Sequence, residues 1–317
     1  MFNGLVSGIL WALNSVVLGI AMSMSPFIST EQAIFLAPFV STFLNDFFSS
    51  MYMIIYSSFR KKLKTTMKVC LSKQGLWIVV ASLIGGPIGM TGYVLSINYM
   101  GSSIASIASA IYPAIGVLCG RIFLKEKMQW YQYVCLLLTM LGIYGISYSP
   151  NIEITNFLLG LLGTFMCAIG WGLEAVLIGK GLKDTTIDSD IALTIRQTIS
   201  WLTYAILILP CLQYFNAWQF TMSLFNIIET TWLLPTIALA ALFCTSSYLL
   251  YYKAIDDIGT TKALPLNVTY VVWTFLINLI IFRDVDDYNL LSYISIVIVF
   301  VSSIFAAVDI SKLKDVK

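Results

Sequence analysis

The 317-residue sequence has no histidine at all, which removes the usual zinc ligand and the usual proton shuttle at neutral pH. Charge is nearly as scarce. Only 11% of residues are charged against 59% hydrophobic, and the mean hydropathy is +0.87, a balance that a water-soluble domain cannot sustain. The six cysteines (Cys70, Cys119, Cys135, Cys167, Cys211 and Cys244) form no C-x-x-C pair, so neither a metal knuckle nor a disulfide framework is encoded, and they read as small apolar fillers. No H-E-x-x-H, no nucleophile with a base and no paired aspartates are visible. The expectation is therefore a membrane protein that is not an enzyme and has no metal, no cofactor and no nucleic-acid partner. Proton chemistry falls to carboxylates or tyrosines.

What the chain has instead is long apolar runs. A bilayer core needs about 20 apolar residues as helix, and ten runs qualify: 2–24, 32–57, 75–98, 102–123, 129–149, 156–179, 190–214, 232–255, 260–282 and 288–308. The first lacks the basic start and small-residue cleavage site of a signal peptide and reads as a mature helix. Connections are short, as between Tyr99 and Ser102, so neighbouring spans are expected to pack as antiparallel pairs. Lys and Arg favour cytoplasmic loops. Arg60, Lys61, Lys62, Lys64, Lys68 and Lys73 follow the second span, Lys125 and Lys127 the fourth, Lys180 and Lys183 the sixth, and Lys253 and Lys262 flank the turn after the eighth. Lys312, Lys314 and Lys317 close the chain, and Arg283 alone falls clearly on the other side. Both termini are expected in the cytoplasm.

The two halves resemble one another. GILWALNSVVLG (8–19) aligns without a gap on AIGWGLEAVLIG (168–179), which sets Trp11 on Trp171 and Asn14 on Glu174. A second match sets Tyr93, Gly101 and Tyr112 on Tyr251, Gly259 and Tyr270. With five spans in each half, the second half enters the membrane upside down relative to the first, which is a transporter architecture with substrate held where the repeats meet. The expected units are 1–150, 151–310 and a cytoplasmic tail, 311–317.

Among the polar groups inside spans, Glu174 stands out. An ionisable residue at the bilayer centre costs about 2.5 to 3.5 kcal/mol on insertion scales, so it marks a functional site unless it merely ties two helices together. Trp171 lies one turn earlier on the same face, and Trp11 with Asn14 repeats the arrangement. Asp46 is a second acid and a proton-coupling candidate alongside Glu174, with a helix-to-helix tie as the alternative. Arg196, beside Gln197, either snorkels to the membrane surface or pairs with a carboxylate. Tyr112 and Tyr270, Tyr248, Tyr251 and Tyr252, and Trp273 are the aromatic residues singled out. Asn267, Tyr270 and Thr274 read as one stripe. Gly85, Gly86, Pro87, Gly89 and Pro113 weaken helix regularity where a cavity opens, or mark close helix packing. Two indoles, several phenols and one carboxylate suit an organic cation, because each ring face supplies about 0.5 to 2 kcal/mol and the acid balances the charge.

GPIGMTGYVLSINYMGSSIASIASAIYPAIG (86–116), CAIGWGLEAVL (167–177), RQTISWLTY (196–204) and YLLYYKAIDDIGTTKALPLNVTYVVWT (248–274) resemble the EamA type of the drug/metabolite transporter superfamily, and within it the bacterial Lic-type choline permeases. The resemblance covers almost the whole chain. It implies an all-α, ten-helix inverted repeat in the bacterial plasma membrane that imports choline or a related quaternary ammonium compound by alternating access, driven by protons. It also implies a pocket built from Trp11, Trp171, Glu174, Tyr248, Tyr252, Tyr270 and Trp273. The implied partners are the cation, protons and the lipid bilayer, with no obligatory protein partner. Asn45 stands where relatives place a histidine before the aspartate of the second span, which excludes a histidine-assisted proton step. Asn14 leaves the choice among quaternary amines open. The rival readings are an EamA-type exporter of amino acids, drugs or other metabolites, and a channel.

Overall fold

The computed structural model describes residues 1–147, 154–184, 187–225, 232–282 and 289–309, and for 101–110 and 282 the backbone alone. Arg283, the Lys312–Lys317 cluster, the tail at 311–317 and the expected boundary at 150 lie outside the described residues. Within them the chain is helical, with no strand. The helices are α1 Phe2–Met22, α2 Glu31–Phe59, α3 Leu63–Cys70, α4 Gly75–Leu83, α5 Met90–Phe123, α6 Trp130–Ser147, α7 Phe157–Gly181, α8 Ser189–Thr203, α9 Leu209–Cys211, α10 Ala217–Ser223, α11 Leu233–Ile258, α12 Thr260–Val268, α13 Tyr270–Phe282 and α14 Leu290–Ala307. A π-helical stretch, Ile84–Gly89, joins α4 to α5, and another, Tyr204–Ile208, joins α8 to α9. Nine helical segments among the described residues are long and apolar enough to cross a membrane. The expected fourth span is represented there by the shorter apolar piece Ile111–Phe123.

Helix starts follow from local chemistry. Thr30, Asn156 and Asn289 each accept a hydrogen bond at the first turn of α2, α7 and α14, from the amides of Ala33, Leu159 and Ser292. Between α11 and α12 the chain turns at Gly259 with φ +84°, a backbone region that side chains with a Cβ rarely enter. Glu126, just beyond α5, accepts the amides of Thr260 (2.9 Å) and Thr261 (2.7 Å), placing a carboxylate on the positive end of α12.

α5 does not run straight. Near its start Ser96 meets Thr164 and Met100 meets Gly160, whereas towards its end Tyr112 and Ile115 pack on Gly172. The early arm is therefore antiparallel to α7 and the late arm parallel to it, so the chain reverses between them. The reversal lies between Met100 and Tyr112, beside the connection expected at Tyr99–Ser102.

α1 packs along α11 and α5 along α7, while α2 pairs with α8 and α6 with α14. Exchanging the two halves maps the first pair onto the second and each of the last two onto itself. At the end of the bundle where α1 begins, Lys62 binds Asp190 at 2.8 Å and also Asp188, tying α2 to α8. Arg60, Lys253, Asp256 and Asp257 line the polar cavity beside this bridge, about 420 Å³ in volume.

Candidate functional site

Close helix contact makes the site, and glycine permits it. A Cβ at Gly85 would collide with the Glu174 carboxylate, one at Gly86 with Ser200, and one at Gly89 would lie 2.8 Å from the Trp171 ring. All three glycines sit in the π-helical stretch with Pro87, which is buried. The expected irregularity is thus real, and it creates room for the site's side chains. The Gly85 carbonyl accepts a hydrogen bond from Trp171 Nε1 at 3.1 Å, which fixes the indole.

Two cavities meet at this point. The first, about 50 Å³, is lined by Glu174 and seven aromatic rings: Trp11, Tyr112, Trp171, Tyr248, Tyr251, Tyr252 and Tyr270, with Asn267 beside them. A space of that size holds a few waters. The second, about 260 Å³, shares Trp11, Trp171, Tyr248 and Tyr270 with the first and adds Asn14, Thr42, Asn45, Asp46, Tyr93 and Arg196. The rings meet mostly edge to face: Trp11 with Tyr248 at 5.1 Å and with Tyr270 at 6.4 Å, Trp171 with Tyr112 at 5.7 Å, and Tyr248 with Tyr252 at 5.8 Å. Such contacts hold the rings at fixed angles while leaving faces available to a guest.

Arg196 does not snorkel. It is 2% exposed, and its Nε donates to Glu174 Oε1 at 2.8 Å. Its Nη1 donates to Gln197 Oε1 at 2.8 Å and lies 3.3 Å from Asp46 Oδ1. Its Nη2 donates to the Tyr248 hydroxyl at 3.0 Å, and the guanidinium carbon lies 4.5 Å from the centre of that ring. Ser200 donates to Asp46 Oδ2 at 2.6 Å. The two acids expected to act separately are therefore bound to one cation, joining α2, α7 and α8. Breaking a buried pair by removing one partner costs about 3 to 5 kcal/mol, so these three charges stand or fall together. Sequence reasoning named all three and missed their union. The signal was there only as an unresolved choice for Arg196.

Other expected residues fall as follows. Asn267 Nδ2 donates to Ser7 Oγ at 3.1 Å, and Tyr112 donates to Asn267 Oδ1 at 3.4 Å, so Asn267 links α1, α5 and α12. Pro113 is buried in the late arm of α5, one residue after Tyr112. Asn14 and Asn45 border the second cavity, and among the described residues their Oδ1 atoms are buried without a hydrogen-bond partner. Trp273, expected in the aromatic box, lines neither cavity and packs instead against Phe300 of α14, with ring centres 5.8 Å apart. Asn267 and Tyr270 of the expected stripe both line the first cavity across the one-residue break at Thr269, while Trp273, three residues after Tyr270 in α13, is turned to α14.

Comparison with known proteins agrees with this architecture. Residues 1–148 match the EamA-like transporter family. Protein LicB of Haemophilus influenzae (strain ATCC 51907 / DSM 11121 / KW20 / Rd) is 26% identical over 284 residues, which is 89% of this chain and 88% of that protein. A solved crystal structure with 14% identity covers 96% of both chains at a TM-score of 0.68, so the fold is shared. The chain is a multi-pass membrane protein whose first half, residues 1–148, matches the EamA-like transporter family, and it is similar to LicB along most of its length.

Proposed function

We propose that the protein moves choline, or a closely related quaternary ammonium compound, into the cell by alternating access, with protons as the coupling ion. The observation that carries this reading is the Glu174 carboxylate lining, with seven aromatic side chains, the smaller of two adjoining cavities. A quaternary ammonium has no N–H to donate, so it is held by ring quadrupoles and by charge, each face supplying about 0.5 to 2 kcal/mol. The residues we assign to the substrate are Trp11, Tyr112, Trp171, Glu174, Tyr248, Tyr252 and Tyr270, with Asn14 at the approach. Asp46 and Glu174 are the acids assigned to proton coupling. The two halves, 1–150 and 151–310, rock about this centre, in the plasma membrane of a bacterium, with both termini and the tail at 311–317 in the cytoplasm. The mirrored helix pairing supports that division.

Counterflow of labelled choline into proteoliposomes, against a panel of amino acids, tests the reading. Choline exchanges, and Glu174→Gln reduces the exchange on the order of 100-fold, the effect of breaking a buried pair. Counterflow of amino acids without choline would assign the protein to the exporters instead.

A further inference from the structure

We infer that Asp46 and Arg196 set the charge number of the substrate: in the deprotonated state that receives substrate the buried cluster carries one unbalanced negative charge, and the site therefore takes a singly charged cation in preference to zwitterions and dications. The inference rests on the cation reading above and deepens it. Glu174, Asp46 and Arg196 come from three helices, and none is more than 6% exposed. Arg196 binds both acids, at 2.8 and 3.3 Å, so with all three ionised the cluster sums to one negative charge. The other described ion pairs, Lys62 with Asp188 and Asp190 at the start of α8 and Lys262 with Asp309, share no residue with this cluster. The phenols facing it, Tyr248 and Tyr252, are neutral in the ordinary state. Away from water an excess charge is poorly screened, so the guest that neutralises it is favoured over one that overshoots or falls short.

The hydrogen bonds point the same way. All three guanidinium nitrogens are engaged, with Glu174, with Asp46 and Gln197, and with Tyr248. With four of the five guanidinium N–H groups used in these bonds, the carboxylate of a zwitterion meets at most one open donor.

The test is calorimetry on the purified protein with tetramethylammonium (one charge), glycine betaine (none) and hexamethyl-ethylenediammonium (two). The wild type prefers the first. Asp46→Asn brings the cluster to zero and lowers the tetramethylammonium-to-betaine preference by about tenfold or more, as loss of an unscreened charge requires. Arg196→Gln brings it to two negative charges and moves preference towards the dication by a similar factor. The double variant restores one charge and returns the preference to within about threefold of the wild type. A purely structural role predicts that the double is no better than either single. Preferences that stay fixed across the series overturn the inference while leaving the cation reading intact, whereas a wild type that ignores tetramethylammonium sinks the cation reading itself. Should Arg196→Gln fail to fold, the double variant against Asp46→Asn decides, and the near-isosteric Asp46→Asn against wild type decides alone if the double fails too.

Discussion

Positions 14 and 174 occupy matched places in the two halves, three residues after matched tryptophans, and they differ in one respect. Position 174 carries an acid that reaches Arg196 at 2.8 Å, while position 14 carries a neutral amide whose oxygen is buried without a partner. The ring contacts are nearly mirrored, Trp11 with Tyr270 and Trp171 with Tyr112. Duplication thus supplies a symmetric aromatic frame, and the charge is placed on one side of it. A cavity with two such acids would call for two cations or a second arginine. With one, it is polarised, so the two approaches to the centre are chemically unequal.

Moving the acid breaks the comparison most sharply. The double variant Asn14→Glu, Glu174→Asn keeps the composition and strips Arg196 of its shortest bond. Choline counterflow is expected to fall on the order of 100-fold, as for a broken buried pair, and unchanged counterflow would make the two positions interchangeable. Tyr248→Phe is next in size. It keeps the ring against Trp11 and under Arg196 but removes the hydroxyl that accepts from Nη2, a hydrogen bond to charge worth about 1.5 to 3 kcal/mol, read as a lower melting temperature with the ring contacts retained. Gly85→Ala asks whether the close approach of the π-helical stretch is needed to seat Glu174. Overpacking costs about 1 to 3 kcal/mol, and substrate affinity falls with stability because the displaced atom is the carboxylate itself.

The smallest effect belongs to Lys62, at the bundle end. Partial burial pulls its ammonium down, but the carboxylates of Asp188 and Asp190 outweigh that and leave its pKa raised. A raised lysine contributes stability that is complete below the ordinary lysine range and is lost as pH climbs through the folded-state value. Because the group is largely solvated, the contribution is about 1 kcal/mol or less. Lys62→Met therefore melts slightly lower than the wild type at neutral pH, and the gap closes in strong alkali. A gap that widens with pH would refute the bridge as drawn.

Much of this was legible because a bilayer enforces a simple code. Apolar runs became helices within a few residues of the expected limits, and Trp11, Trp171, Glu174 and Tyr270 were picked out through the repeat, with Tyr248 added by its one-turn spacing from Tyr252. The partner of Arg196 was not. A guanidinium on a flexible stem reaches either the membrane surface or an acid, and the choice depends on how α2, α7 and α8 are rotated against one another, which no local pattern records. Trp273 entered the aromatic box only through the family resemblance, and in the structure it packs on Phe300 of α14, a packing choice that no spacing within its own helix records.

Glu126 has a mechanical consequence. One carboxylate grips two successive amides at the head of α12 from a segment that belongs to the other half of the chain, as a clasp joins two straps. Any tilt of α12 against the foot of α5 has to break these two hydrogen bonds, so the clasp resists movement between the halves at this end of the bundle.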